Sequence, residues 1–221
     1  IEKWVPQLDQ ERPYSTREFL YLLGERLSGE CQEEGILTAA FRQKVPIYCP
    51  AIADSSIGIA IATGRHKQTN RLTFDLIQDV LETAEIADRA SETGVIYIGG
   101  GTPKNFIQQA EVTASFLNQK PAQGHKYAIQ ITTDSPQWGG LSGCTFKEAQ
   151  SWGKIASEAQ KISLHADATL ALPMLVTGLA ERVEAWLPQR TRPEFVMGRS
   201  LKMMIKGEKS RKHRAEWSDG E

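Results

Sequence analysis

The sequence predicts an α/β protein built on a doubly wound, mostly parallel sheet with helices on both faces. Three observations predict it. Short apolar runs alternate with stretches of helical periodicity, the pattern of β-α-β units in series. The clearest run, Gly94 to Ile98 (GVIYI), passes straight into Gly99-Gly100-Gly101 and then into a helical stretch. The polar turns Asp54–Ser56, Gly99–Lys104, Thr132–Gly143 and Asp167-Ala168 all fall where strand carboxyl ends belong. That is the edge at which such sheets hold ligands.

Each element follows from local chemistry. Residues 15–31 open on Ser15-Thr16-x-Glu18, a capping signal, and Phe19, Leu22 and Leu23 then recur at helical spacing. A second helical stretch covers about 33–43. Val45 to Ile52 (VPIYCPAI) is an apolar run bounded by prolines and reads as a buried strand. Asp54-Ser55-Ser56 offers an N-cap for a helix through Ile57–Ala62. Residues 72–76 fit a short strand, with helix following to about Ala90. After the glycine triplet, Pro103 stands at the start of a helix that continues to about Leu117. Tyr127 to Thr133 reads as strand, Phe146 to Gln160 as helix, Ile162 to His165 as strand and Thr169 to Trp186 as helix. From Arg199 the pattern degrades into seven Lys or Arg within the last 23 residues, which predicts a basic, disordered tail over 199–221. One domain, residues 1–198, precedes it.

Composition narrows the function. The 221 residues are 40% hydrophobic and 24% charged, a globular balance. Twenty-six basic against 27 acidic residues give a net charge of −1, so no overall basic field points to nucleic acid or to a membrane surface. The longest apolar stretch, Ala168 to Ala180, is well short of the ~20 residues of a membrane helix. Cys31, Cys49 and Cys144 are odd in number and widely spaced, which fits a reducing, cytoplasmic setting and no zinc site. His66, His125, His165 and His213 show no metal-ligand spacing. The chain opens on Ile1 rather than Met, and is expected to be part of something longer.

Four segments carry chemistry. Gly99-Gly100-Gly101 joins a strand to a helix start, where backbone N–H groups can meet a phosphate or simply turn the chain. Lys154, in Ser151-Trp152-Gly153-Lys154, becomes a nucleophile if an apolar setting keeps its amine neutral; otherwise it is one more exposed lysine. Glu148 and Trp152 are four apart on one helix face, a carboxylate beside an indole that suits a cationic amine. On a continuous helix Lys154 would lie well over 100° from both, so the three converge only if the helix breaks at Gly153 or if two subunits share the site. The loop Gln137–Gly143 (QWGGLSG) follows a strand and is rich in glycine, as substrate loops are.

Together, VPIYCPAIADSSIG, GVIYIGGGTPK, YAIQITT, EAQSWGKI and HADATLALPMLV resemble the deoxyhypusine synthases, in order and spacing, over roughly residues 1–187. The match corresponds to the C-terminal portion of a family member. It implies a Rossmann-like NAD-binding fold lacking its N-terminal part. It also implies an NAD-dependent transferase that moves an aminobutyl-type group from a polyamine such as spermidine to an amine acceptor. The group is held as an imine on the lysine matching Lys154. The acceptor is a lysine of translation initiation factor 5A, or putrescine in the related homospermidine synthases; a truncated, non-catalytic scaffold is the alternative. By motif match, Asp54, Ser56, Gly100, Gly101, Asp167 and Ala168 would contact NAD, and Glu148 and Trp152 would line the amine pocket. The resemblance also implies a homotetramer with active sites shared between subunits.

The departures from the family pattern bear on substrate. Asn105 stands where the family has a histidine, and an amide cannot act as a general base. Ile59, Trp138 and Leu141 replace family acidic positions, as in the bacterial deoxyhypusine synthase-like branch. The expected substrate therefore carries fewer free ammonium groups than spermidine, or a guanidinium, which stacks on indole and is weakly hydrated.

Overall fold

The local signals for helix starts place the first half of the chain. A two-residue strand, β1 (Pro13–Tyr14), leads into α1 (Thr16–Glu30), whose N-cap Ser15 accepts the Glu18 N–H at 3.0 Å. α2 (Ile36–Gln43) follows, opened by Gly35, whose N–H donates to Thr38 Oγ1. α3 (Ser56–His66) is capped by Ser55, β2 (Thr73–Phe74) pairs in parallel with β1, and α4 (Leu76–Arg89) is capped by Asp75. Phe19, Leu20, Leu23, Ile52, Ile61 and Leu72 form the core of this half.

The second half carries the site. β3 (Gly94–Ile98), α5 (Gly101–Asn118), β4 (His125–Thr132), a single helical turn α6 (Gly140–Gly143), α7 (Phe146–Ser151), β5 (Ile155–His165) and α8 (Ala168–Trp186) follow in order. The hairpin strands β6 (Pro193–Met197) and β7 (Leu201–Ile205) close the described chain. This structure, a computed structural model, describes residues 1–190 and 192–205. β3, β4 and β5 form a parallel sheet in that order, with Ile98 opposite Ile131 and Ile131 opposite Leu164. Strands alternate their side chains, so Val95 and Ala128 share one face, which Phe146 and Ala149 of α7 cover. Tyr97 lies on that same face, its ring centroid 6.3 Å from Phe146.

Several expectations need correction. Residues 45–52 are irregular chain and turn, not strand. Their apolar side chains do pack, with Ile47, Cys49 and Ile52 in the first core. Pro46 and Pro50, however, lack N–H donors, and the Cys49 N–H is taken by Thr16 Oγ1 instead of a neighbouring strand. The helix expected over 146–160 stops at Ser151, and the strand expected at 162–165 begins at Ile155. The expected α/β architecture with parallel strands and helices around them is present, but among the described residues the strands form three small sheets rather than one doubly wound sheet, and the three-stranded sheet leaves Ile96 and Ile162 exposed. The tail expected to be disordered from 199 contains β7, with Leu201 and Met203 buried; residues 206–221 lie outside the described residues.

The hairpin is held by buried charge. Arg17, fully buried, donates from Nε and Nη2 to both oxygens of Glu82 at 2.9 and 2.8 Å. Its remaining N–H groups reach Gly198 O and Arg199 O at 2.7 and 2.9 Å, while the Leu201 N–H donates to Glu82 at 3.0 Å. Asp79 accepts from Thr16 N and Oγ1 and from Arg17 N. Burial pushes both carboxyls up. Thr16 and Arg17 do not fully offset this for Asp79, whereas the Arg17 guanidinium holds Glu82 below its ordinary value. Removing one partner strands a buried charge, so Arg17→Met is expected to lower unfolding free energy in urea by about 3–5 kcal/mol. Glu82 contributes stability that is full above pH 4.5 and is lost as pH falls through its lowered pKa. Asp79, raised, works in the opposite direction. Glu82→Gln should therefore flatten the acid limb of the stability profile, and Asp79→Asn should steepen it.

Candidate functional site

The site grows from the glycine turn at the carboxyl end of β3. The Gly99 N–H donates to Ile131 O at 2.8 Å, fixing the turn against β4. Gly99 and Gly101 take φ of +76° and +73°, and a Cβ at either would meet open space. Gly100 is the N-cap of α5 and supplies no side chain to its first N–H groups. A Cβ on Gly100 would come within 2.4 Å of Ser142 Cα, so glycine is what allows α6 to lie on the turn.

Beneath that turn sits a buried cation. Lys104 is 3% exposed, and its Nζ donates to Cys144 O at 2.7 Å, to Gln130 Oε1 at 3.3 Å and to Ser142 O at 3.4 Å. Gln130 Nε2 in turn donates to Gly99 O and Ser142 O. No carboxylate lies within ion-pair distance of Lys104 among the described residues. Burial pushes the Lys104 ammonium pKa down, with the nearby Lys154 charge adding to the effect. Tyr97 faces it at 5.6 Å from the ring centroid, and burial pushes that phenol up to about 12. Sequence reasoning missed Lys104, Gln130 and Ser142. The one available signal was a lysine in the first turn of a helix, beside a strand glutamine with apolar neighbours.

Lys154 is placed by a helix stop. α7 ends at Ser151, Gly153 adopts φ +70°, its N–H donates to Gln150 O, and the Lys154 N–H donates to Ala149 O, both at 3.0 Å. This pair of bonds is a Schellman motif closing the helix. The break at Gly153 resolves the angular conflict between Lys154 and the pair Glu148 and Trp152, because Lys154 no longer belongs to their helix. Its carbonyl accepts from the His125 N–H at the amino end of β4, the sheet edge opposite the glycine turn. Its half-buried side chain reaches Asn105 of α5, donating from Nζ to Oδ1 at 2.9 Å.

The remaining expected residues are more open. Glu148 is exposed on the first turn of α7 and adds to the burial that pushes the Cys144 thiol up. Trp152 and Trp138 are 68% and 81% exposed, and Leu141 and Ile59 are also exposed. Asp167 caps α8 through Thr169 N and Oγ1, which hold its carboxyl below its usual range, and Ala168 is the first helical residue. This puts both at the edge where the glycine turn lies. Asp54 is exposed beside the Ser55 cap of α3 and Ser56 opens that helix; neither is hydrogen-bonded to the glycine turn among the described residues. His125 is buried against Thr93, Glu111 and Ile107 O, at the opposite edge, and burial pushes its pKa down. Among the described residues no group of His, Cys, Asp and Glu could hold a metal, and no helix is long and apolar enough to cross a membrane.

Residues 1–179 match the deoxyhypusine synthase family model. The protein named probable deoxyhypusine synthase 2 of Methanosarcina mazei is 50% identical over 182 residues, which is 82% of this chain and 52% of that protein. Its namesake from Archaeoglobus fulgidus is 54% identical over 165 residues, 75% of this chain and 53% of the relative. A deoxyhypusine synthase-like protein of Coxiella burnetii is 41% identical over 176 residues, 78% of this chain and 49% of the relative. The chain thus spans about half the length of the curated relatives it matches.

Two substitutions test the geometry. Lys104→Met keeps the apolar stem but leaves the Cys144 and Ser142 carbonyls without their donor. It should cost about 1–3 kcal/mol and speed hydrogen exchange over 138–145. Gly153→Ala forces a side chain into the left-handed region, with Ala122 Cβ 3.1 Å away, and should cost about 1–2 kcal/mol in thermal unfolding. Unchanged stability in both variants would mean that neither the clamp nor the helix stop is held as described.

Proposed function

The chain belongs to the deoxyhypusine synthase family, and we propose that it carries the nucleophile of an NAD-dependent transferase of aminobutyl-type groups. The observation that carries this reading is the Lys154 amine, half-buried and bonded at 2.9 Å to the neutral amide of Asn105. A carboxylate partner would hold the proton on Nζ; an amide oxygen orients the amine without adding a negative charge.

The glycine turn fits a dinucleotide. Open space beside Gly99 and Gly101, and the uncapped first turn of α5, suit a phosphate approaching the backbone. Gly100, Gly101, Asp167 and Ala168 would hold NAD at that sheet edge, with Asp54 and Ser56 contributing from α3. When bound, NAD would supply the hydride acceptor for the carbon beside the donor's secondary nitrogen, and the hydride at the end. The chain's own part is covalent. Lys154 Nζ attacks the oxidised carbon, the departing amine leaves with the proton, and the acceptor amine later displaces Lys154 and frees it.

Glu148 with Trp152 would hold one cationic end, while Trp138, Leu141 and Ile59 present apolar walls where charge would be costly. The exposure of Trp138 and Trp152 supports a pocket completed by a second polypeptide surface, such as a paired subunit in a homotetramer. With a homospermidine synthase-like acceptor the displacing group would be a free diamine rather than a protein lysine.

Incubation with NAD and an amine panel followed by borohydride should trap an adduct on Lys154, and Lys154→Arg should abolish it. Within the panel, monoamines and guanidines should produce more NADH than spermidine, and Leu141→Asp should shift the preference back toward spermidine. Hydride transfer that persists in Lys154→Arg would instead identify an amine dehydrogenase. Absence of heat on NAD titration, with no adduct, would leave the scaffold reading standing.

A further inference from the structure

A cavity that the transferase reading leaves unused lies at the amino edge of the three-stranded sheet, opposite the glycine turn. It measures about 280 Å³ and is walled by α4, α5 and the first residues of β4 and β5. Gly124 leads the chain into β4 with φ +70°, and a Cβ there would come within 2.6 Å of Ala156 N, so glycine keeps this wall close.

The cavity is lined by a buried carboxylate whose charge balance is incomplete. Glu111 is 7% exposed, and its Oε1 accepts from Thr93 Oγ1, which also meets His125 Nδ1 at 2.9 Å. His125 is 4% exposed, with Nε2 3.3 Å from Ile107 O. A carbonyl only accepts, so Nε2 holds a proton. With Glu111 ionised, the single Thr93 hydrogen goes to it, and Nδ1 bonds Thr93 only if it too carries a proton. Glu111 is thus balanced by an imidazolium 3.7 Å away, and no Lys or Arg lies within ion-pair distance of it among the described residues. Burial pushes the His125 pKa down, against the pull of Glu111. Once the ring is neutral, the buried carboxylate has no counter-charge, and a bound cation would stabilise it.

The other groups decide which cation fits. Glu92 and Glu158 also line the cavity, Lys126 is paired with Glu92, and Lys120 is held 3.7 Å from Asp88. Three lining carboxylates against one lysine leave two negative charges in excess. Ala87, Ala90 and Ala156 supply an apolar wall. Among the described residues no group of His, Cys, Asp and Glu could hold a metal, so the cation is organic. We propose that this cavity binds a short alkyl diammonium ion, one ammonium on Glu111, the other beside Glu158, and the chain along the alanines. The bound ion takes over from the imidazolium as the partner of Glu111, and His125 releases its proton to solvent.

The site uses neither the Lys154 amine nor the glycine turn, so its test is independent of the transferase reading. Calorimetry of this chain with 1,4-diaminobutane should show binding that persists in Glu148→Gln, which alters the proposed amine pocket. Glu111→Gln keeps the shape, removes the charge and should weaken binding at least tenfold. Butylamine should bind more weakly, and butane-1,4-diol not at all. Protons compete for Glu111 through His125, so affinity should rise as pH is raised through the His125 titration, below its ordinary value of 6.5, and then level off. Because Glu111→Gln can fail to fold, the unaltered chain gives a second readout. The His125 Cε1–H resonance, identified by its loss in His125→Gln, should titrate at lower pH in saturating diamine. An unmoved His125 titration, binding lost in Glu148→Gln, or equal affinity for butylamine or the diol would each overturn the proposal.

Discussion

The paired carboxylates of α4 are the constraint on which the rest of the first half depends. Asp79 and Glu82 are three apart, so they share one helix face, and that face is buried. Buried charge is tolerated only when every oxygen is engaged, and these four oxygens accept from Thr16, Arg17, Leu201, Gln78 and Tyr48. The consequence is geometric. The start of α1, the segment around Tyr48 and the β6–β7 hairpin must all meet α4 at one place, and Arg89 donates to Met203 O from the same helix. A purely apolar contact among these pieces would leave their relative slide free; bidentate bonds do not.

A similar economy of polar contacts organises the site. Lys104 draws in carbonyls from a loop more than thirty residues away, and Gln130 ties the same loop to the glycine turn. Glycine permits the close approach at 100 and the left-handed turn at 153, and those two positions determine where α6 and Lys154 go. Lys154 and the glycine turn then belong to opposite edges of the sheet by their backbones, and the reach of the lysine side chain to Asn105 of α5 links them.

Much of this was legible in the sequence where the signal is local. Ser15-Thr16 and Asp54-Ser55-Ser56 announced helix starts, and GVIYI followed by three glycines announced β3 and α5, because caps and turns act within a few residues. Two of the misreadings concern partners distant in sequence, and the third a local helix stop. VPIYCPAI is apolar because it packs in a core, but burial does not supply the neighbouring strand that pairing requires. Phe146–Gln160 looked like one helix because its periodicity outweighed Gly153, whose role as a stop depended on Ala149 and Gln150 carbonyls being available. The β6–β7 hairpin was hidden by the charges after Arg199, whose carbonyl is a ligand for Arg17 far upstream. For the site, Lys154 and Asn105 were recognised through the family motif, while Lys104 was not, because its importance lies in being buried without a carboxylate.

The contrast between the two lysines carries the chemical argument furthest. Lys104 is enclosed by carbonyl oxygens, which are fixed dipoles that satisfy an ammonium's donors without neutralising it. Burial nevertheless pushes its pKa down. Lys154 donates to a single amide acceptor, Asn105 Oδ1, and on the proposed transferase reading its amine would exchange that bond for a substrate carbon. A histidine in place of Asn105 would add a proton-accepting group beside Lys154; an amide cannot. If Lys154 attacks as proposed, the proton it releases passes to the substrate's own departing nitrogen or to water. That requirement favours a leaving group that is itself basic, which is the property that amines and guanidines share.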